Sequence, residues 1–132
     1  MTPGELVISG EYDIVQARKA VRQAAVEAGF GLTDVTRIVT AASELSRNIF
    51  TYAGTGVVRW RGLSDEFDGL EITFEDQGPG IPDVDEAMRP GYTTGKSLGM
   101  GLPGSKRLMD ELELTSSPGE GTTVIIRKWL RF

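Results

Sequence analysis

Partway along this chain the spacing of its apolar residues changes, and that change limits the folds open to it. Between residues 13 and 28, Ile14, Val15, Ala17, Val21, Ala24, Ala25 and Ala28 recur at helical spacing, with Gly29 in place as a C-terminal cap. Thr33 is placed to cap a second helix whose core stripe is Val35, Ile38, Val39, Ala42, Leu45 and Ile49, stopped by Gly54 and Gly56. From residue 57 the period drops to two. Val57-Val58-Arg59-Trp60-Arg61 reads as a strand, residues 62–69 hold a polar turn, and Leu70, Ile72 and Phe74 then alternate with Glu71, Thr73 and Glu75. Two amphipathic helices followed by a hairpin with one buried face make an α+β domain the expectation.

The flanks complete this reading. Leu6-Val7-Ile8 forms a short first strand ended by Ser9-Gly10. Residues 76–101 carry six glycines and three prolines in 26 residues with little apolar periodicity, and a loop that long in a compact domain is usually functional. A third helix is expected from about Leu102, burying Leu108, Met109 and Leu112, with last strands over 114–116 and 122–130 around Pro118-Gly119-Glu120-Gly121.

The bulk numbers exclude several functions. At 132 residues, 39% hydrophobic and 25% charged, the sequence suits one folded domain over 1–132. A net charge of −5 argues against bulk nucleic-acid or anionic-membrane binding, although Arg59 and Arg61 could meet an acidic partner. Cysteine and histidine are both absent, which removes disulfides, thiolate zinc sites, imidazole bases and any phosphohistidine intermediate. With no basic leader and no apolar stretch approaching 18 residues, a cytoplasmic location is expected.

Two glycine motifs fail on context. Gly99-Met100-Gly101-Leu102-Pro103-Gly104 fits a dinucleotide fingerprint, but no buried strand precedes it. Gly91-Tyr92-Thr93-Thr94-Gly95-Lys96-Ser97 is one residue short of a P-loop.

Other residues point to chemistry. Glu44 and Asn48 lie four apart on the second helix, about 40° apart on its wheel and off the apolar stripe. A carboxylate there can accept a proton from a nucleophile, and an amide oxygen can ligate a Mg²⁺ ion that already holds phosphate oxygens. Taken alone, the pair would more commonly be a solvated helix face. Asp76, in Asp76-Gln77-Gly78-Pro79-Gly80-Ile81, sits at a strand end, where a carboxylate can accept the exocyclic amine of adenine; Gly78 and Gly80 either let backbone approach the base or serve a tight turn. Gly99, Gly101 and Gly104 mark a helix start, whose free N–H groups suit polyphosphate or whose glycines suit close packing. Lys96, with Ser97 and Thr93-Thr94, stands in a stretch able to fold over phosphates, so residues 82–98 are expected to form a lid.

The order Glu44-Leu45-Ser46-Arg47-Asn48, then Asp76-Gln77-Gly78-Pro79-Gly80, then a loop and Gly99-Met100-Gly101, then Gly121-Thr122, resembles the GHKL ATP-binding family over nearly the whole chain. The resemblance implies a Bergerat-type two-layer α+β sandwich: a mixed sheet of about five strands covered on one face by three helices. It implies Glu44 as the catalytic base and Asn48 as the Mg²⁺ ligand. ATP would be bound by Asn48, Asp76, Gly78, Gly80, Thr94, Lys96, Gly99, Gly101, Leu102 and Thr122, with the Thr122 side chain supporting Asp76. The absence of histidine excludes an autophosphorylating histidine kinase, and 132 residues leave no room for the second domain of the gyrase and chaperone ATPases. What remains is the group of small serine/threonine kinases that regulate sigma factors. Tyr52-Ala53-Gly54, Gly101-Leu102-Pro103-Gly104, residues 106–111 and Lys128-Trp129-Leu130 look closest to the stressosome switch kinases within it. That similarity implies phosphorylation of STAS-domain scaffold or antagonist proteins and activation of a PP2C-type phosphatase. Two alternatives stand beside it: an anti-sigma factor that sequesters a sigma factor and phosphorylates its antagonist, and a non-catalytic nucleotide-binding module.

Overall fold

The computed structural model describes residues 2–64, 68–81, 88 and 98–130, the last segment by backbone alone at 98–101. The order of elements is β1 (Gly4–Ile8), α1 (Glu11–Ala28), α2 (Leu32–Asn48), a π-helical turn (Ile49–Ala53), β2 (Gly56–Ser64), β3 (Asp68–Asp76), α3 (Leu98–Leu108), β4 (Glu111–Ser116) and β5 (Thr122–Trp129). The strands form one five-stranded sheet in the order β1-β2-β3-β5-β4.

Alternation decides which face of the sheet is covered. Leu70, Ile72 and Phe74 of β3 lie opposite Lys128, Ile126 and Val124 of β5, and Phe74 also lies opposite Val58 of β2, so these side chains share one face. All are buried, and the helices cover this face with Ile14, Ala17 and Val21 of α1 and Val35, Ile38 and Leu45 of α2. α2 is central, packing against both α1 and α3. Burying a side chain such as Phe74, which is 2% exposed, contributes about 1.5–3 kcal/mol.

The sheet is antiparallel at every pairing, which corrects the expectation of a mixed sheet. β3 and β4 do run the same way, but the crossover through α3 skips one position. β5 folds back into the gap and pairs antiparallel with both.

Local differences have local causes. α2 begins at Leu32, with Val35 N–H donating to Gly31 O at 2.9 Å, so Thr33 lies inside the first turn and is not its cap. Val15, expected in the core stripe, is 40% exposed. α1 does end at Gly29, whose φ of 103° lets its N–H and that of Phe30 close back on Val26 O and Ala25 O. α3 starts at Leu98, not near Leu102, because glycines and Pro103 hide its first turns from a propensity reading. It stops at Leu108, so Leu112 belongs to β4. Lys128 Nζ donates to Leu108 O at 2.9 Å and satisfies one carbonyl of that helix end.

On the open face, side chains pair in rows. Arg59 bridges Glu5 and Glu75, each at 3.1 Å, and Glu71 is held by Arg61 at 2.7 Å and Arg127 at 2.8 Å. The cations that sequence left free for an acidic partner are therefore engaged within the sheet. Among the described residues, no helix is long and apolar enough to cross a membrane.

Candidate functional site

β3 delivers Asp76 to the sheet end, where the chain turns away from the ladder. Its Oδ1 accepts the Gly78 N–H at 2.9 Å, and the backbone N–H of Thr122, its cross-strand partner on β5, also donates to the carboxylate. Burial raises the pKa of Asp76 above the ordinary aspartate value, and these two N–H groups oppose that rise. The result is a half-buried carboxylate held by two segments, with acceptor capacity remaining.

The turn after Asp76 is fitted to the β4–β5 turn. Gly80 has φ 78°, and a Cβ there would sit 2.0 Å from Ser117 O. Gly121 has φ 81°, and its Cβ would sit 2.2 Å from Asp76 O. Gly119 N–H donates to Pro79 O at 2.7 Å. A Cβ on Gly78 would lie 2.7 Å from the Ala53 Cβ. Thus Gly78 and Gly80 are required by protein packed against them, whatever else approaches. The Ser116 hydroxyl joins the two turns, accepting the Ile81 N–H at 2.7 Å and contacting Gly121 O at 2.8 Å and Thr122 Oγ1 at 2.9 Å.

These segments border a cavity between the sheet end and α2. Leu45, Ile49, Phe74, Ile81, Leu102 and Val124 form its apolar walls, and Asn48, Asp76 and Thr122 supply polar groups. Counting the open space at its mouth, it encloses about 520 Å³. The helix widens to π geometry directly after Asn48, and Tyr52 of that turn lines the cavity. Single π turns of this kind are frequent at functional sites. Asn48 Nδ2 is buried with no hydrogen-bond partner among the described residues, so the cavity wall holds an amide still in need of one.

Of the residues singled out from sequence, the fold gathers Asn48, Asp76, Gly80, Leu102 and Thr122 around one cavity. Gly78 serves Asp76 from the adjoining turn. Glu44, one turn of α2 before Asn48, is exposed and does not line the cavity. Thr122 differs from its expected role. Its hydroxyl is engaged with Ser116, and its backbone N–H is what reaches Asp76. Thr94, Lys96 and the lid expected over 82–98 fall outside the described residues, apart from Met88 and Leu98; Gly99 and Gly101 are described only as backbone of α3. Sequence reasoning missed Ser116, a serine at a strand end with no local signature, and Tyr52, which only the π turn brings to the cavity.

Residues 10–128 match the histidine kinase-like ATPase domain. The chain belongs to that family. Within it, the chain is 53% identical to the serine/threonine-protein kinase RsbT of Bacillus subtilis, over 94% of each protein. It is 40% identical to the anti-sigma F factor of Halalkalibacterium halodurans, over 75% of this chain and 72% of that protein. Solved structures extend the likeness of this ATPase domain at the level of fold. The RsbU and RsbW domains of a Mycobacterium tuberculosis protein superpose with a TM-score of 0.72 at 19% identity, covering 98% of this chain and 33% of that one. The mycobacterial sensor histidine kinase MprB superposes with a TM-score of 0.56 at 15% identity, covering 98% and 99%.

Proposed function

We propose that this chain is an ATP-dependent serine/threonine protein kinase that phosphorylates STAS-domain regulatory proteins. In this reading it also acts as a partner switch, activating a PP2C-type phosphatase in a stress or sigma-factor pathway. The observation that carries the proposal is 53% identity, over 94% of both chains, to a protein named a serine/threonine kinase. The cavity adds chemical support: apolar walls suit a purine, and Asp76 suits its exocyclic amine.

In this mechanism Asp76 binds and orients the base, while Leu45, Ile49, Phe74 and Val124 exclude water from it. Asn48 is the residue that would hold Mg²⁺, through its side-chain oxygen; the ion needs few protein ligands when phosphates supply most of its oxygens, and the unpartnered Asn48 Nδ2–H group would be left to donate to a phosphate oxygen. Magnesium bound there would neutralise charge developing on the transferred phosphoryl group. Glu44 is the proposed base. Its exposure suits a group that must meet a hydroxyl carried by another protein, which a carboxylate sealed inside the nucleotide cavity could not do. Thr94, Lys96, Gly99 and Gly101 are proposed to contact the phosphates, and Leu102 to join the apolar wall against the base.

A second reading is favoured by the anti-sigma F relatives: an anti-sigma factor with the same ATP site that sequesters a sigma factor and phosphorylates its antagonist. The deciding experiment incubates this chain with γ-labelled ATP, Mg²⁺ and STAS proteins from the same genome, followed by phosphoamino-acid analysis. Labelled serine or threonine on a STAS protein is expected. No transfer to any of them, with a sigma factor co-purifying, refutes the switch-kinase reading.

A further inference from the structure

We propose that Ser116 sets the hydrogen-bonding polarity of the cavity beside Asp76, and through it a preference for 6-amino over 6-oxo purines. The inference rests on the nucleotide reading above. Ser116 ends β4 directly opposite Thr122, which is itself the cross-strand partner of Asp76. Among the described residues the Ser116 Oγ has three polar neighbours: Ile81 N at 2.7 Å, Gly121 O at 2.8 Å and Thr122 Oγ1 at 2.9 Å.

A serine hydroxyl has one proton to give and lone pairs to receive. The Ile81 N–H can only donate and the Gly121 carbonyl can only accept. The Ser116 proton is therefore committed to Gly121, and the remaining contact closes only if Thr122 donates its own proton to Ser116. Thr122 is left with lone pairs alone to offer the cavity that it lines. Asp76, lining the same cavity, is an acceptor as a carboxylate. Together these two groups accept and do not donate. An exocyclic amine brings two N–H donors to such a place, whereas a 6-oxo group sets a third acceptor against the two and leaves that edge of the base only its N1–H to donate to them.

The test is calorimetric affinity for ADP and for inosine diphosphate at pH 8, where Asp76 is ionised, using wild type, Ser116→Ala and Ser116→Thr. Inosine diphosphate replaces the 6-amino group by a 6-oxo group and carries a proton at N1. Wild type is expected to prefer ADP. Ser116→Ala frees the Thr122 hydroxyl to donate and should narrow the ADP preference by about tenfold, the scale of one net hydrogen bond. Ser116→Thr, which keeps the hydroxyl, should restore it. Ser116→Ala also releases Ile81 and Gly121, but loosening of that kind weakens both nucleotides alike. A parallel loss with an unchanged ratio makes Ser116 a structural residue only and overturns the proposal. If Ser116→Ala does not fold, Thr122→Val removes, at nearly constant shape, the hydroxyl that Ser116 is argued to orient; narrowing is again expected, and an unchanged ratio overturns the idea. Wild type that binds ADP without preference sinks this inference alone, whereas wild type that binds neither nucleotide sinks the nucleotide reading and the inference with it.

Discussion

Asp76→Asn changes one oxygen for an amide NH₂ at the point where β3 leaves the sheet, and its consequence can be worked from the contacts there. A carboxylate has room for about four hydrogen bonds. Two are already taken by backbone N–H groups of Gly78 and Thr122, so the remainder can face the cavity. Asparagine keeps one accepting oxygen and places a donor where the other stood, so an incoming amine loses a charged acceptor and meets a like group. Hydrogen bonds to charged groups contribute about 1.5–3 kcal/mol, which translates to roughly 10- to 150-fold weaker ADP binding. Total loss is not expected, because the apolar walls from Leu45 to Val124 are untouched. The fold should survive, since a neutral amide avoids the burial that raises the Asp76 pKa. The same shift gives a pH signature. Adenine's amine needs the ionised form, so wild-type ADP affinity should fall on acidification at a higher pH than an ordinary aspartate would dictate. Fold stability responds at this group with the opposite sign: a raised folded pKa favours the protonated form, so acidification through it relieves the folded state. Calorimetry with ADP from pH 4.5 to 8, with circular dichroism as the folding control, measures both. A folded Asp76→Asn protein with wild-type ADP affinity would remove Asp76 from the site.

Glu44→Gln should slow single-turnover transfer to a STAS substrate by roughly 10² to 10⁴ while Mg-ATP affinity holds; wild-type transfer would make Glu44 an ordinary solvated side chain. Gly80→Ala should destabilise by at least about 2 kcal/mol in urea, because φ 78° is combined with a Cβ 2.0 Å from the Ser117 carbonyl oxygen. Gly119→Ala, at φ 80° with open space around it, should lose only about 1 kcal/mol, and equal losses at the two glycines would refute the packing argument. Glu71 is held below the usual glutamate range first by the hydrogen bond from Arg61, against the opposing effect of burial, and then by Arg127. Its contribution to stability is present above the unfolded glutamate pKa and is lost as pH falls through the lower folded value, so Glu71→Gln should flatten the acid limb of a Tm-against-pH curve. An unchanged limb would mean that other carboxylates set it.

What the sequence determined by itself was local and periodic. The stripes of α1 and α2, the alternation of Leu70, Ile72 and Phe74, and the positive-φ stop at Gly29 each follow from spacing within a few residues. Asp76 at a strand end is legible for the same reason, as is Asn48 one turn beyond Glu44. The family resemblance was legible because its blocks are short runs in a set order, and a match over residues 10–128 reads those same runs.

Only the tertiary structure decided which distant groups meet. Ile81 and Ser116 are 35 positions apart in the chain, and nothing in either segment names the other. The β3–β5 register sets Asp76 against Thr122, so that the threonine's N–H, and not its hydroxyl, supports the carboxylate. Glu71 is buried on the open face because the neighbouring strands β2 and β5 bring Arg61 and Arg127 over it. Glu44 and Asn48, near-equivalent on a helical wheel, part company because the cavity reaches one and not the other. Periodicity records which way a side chain faces along its own element. The partner it finds there depends on strand order and register, which arise only when a sheet closes over residues far apart in the chain.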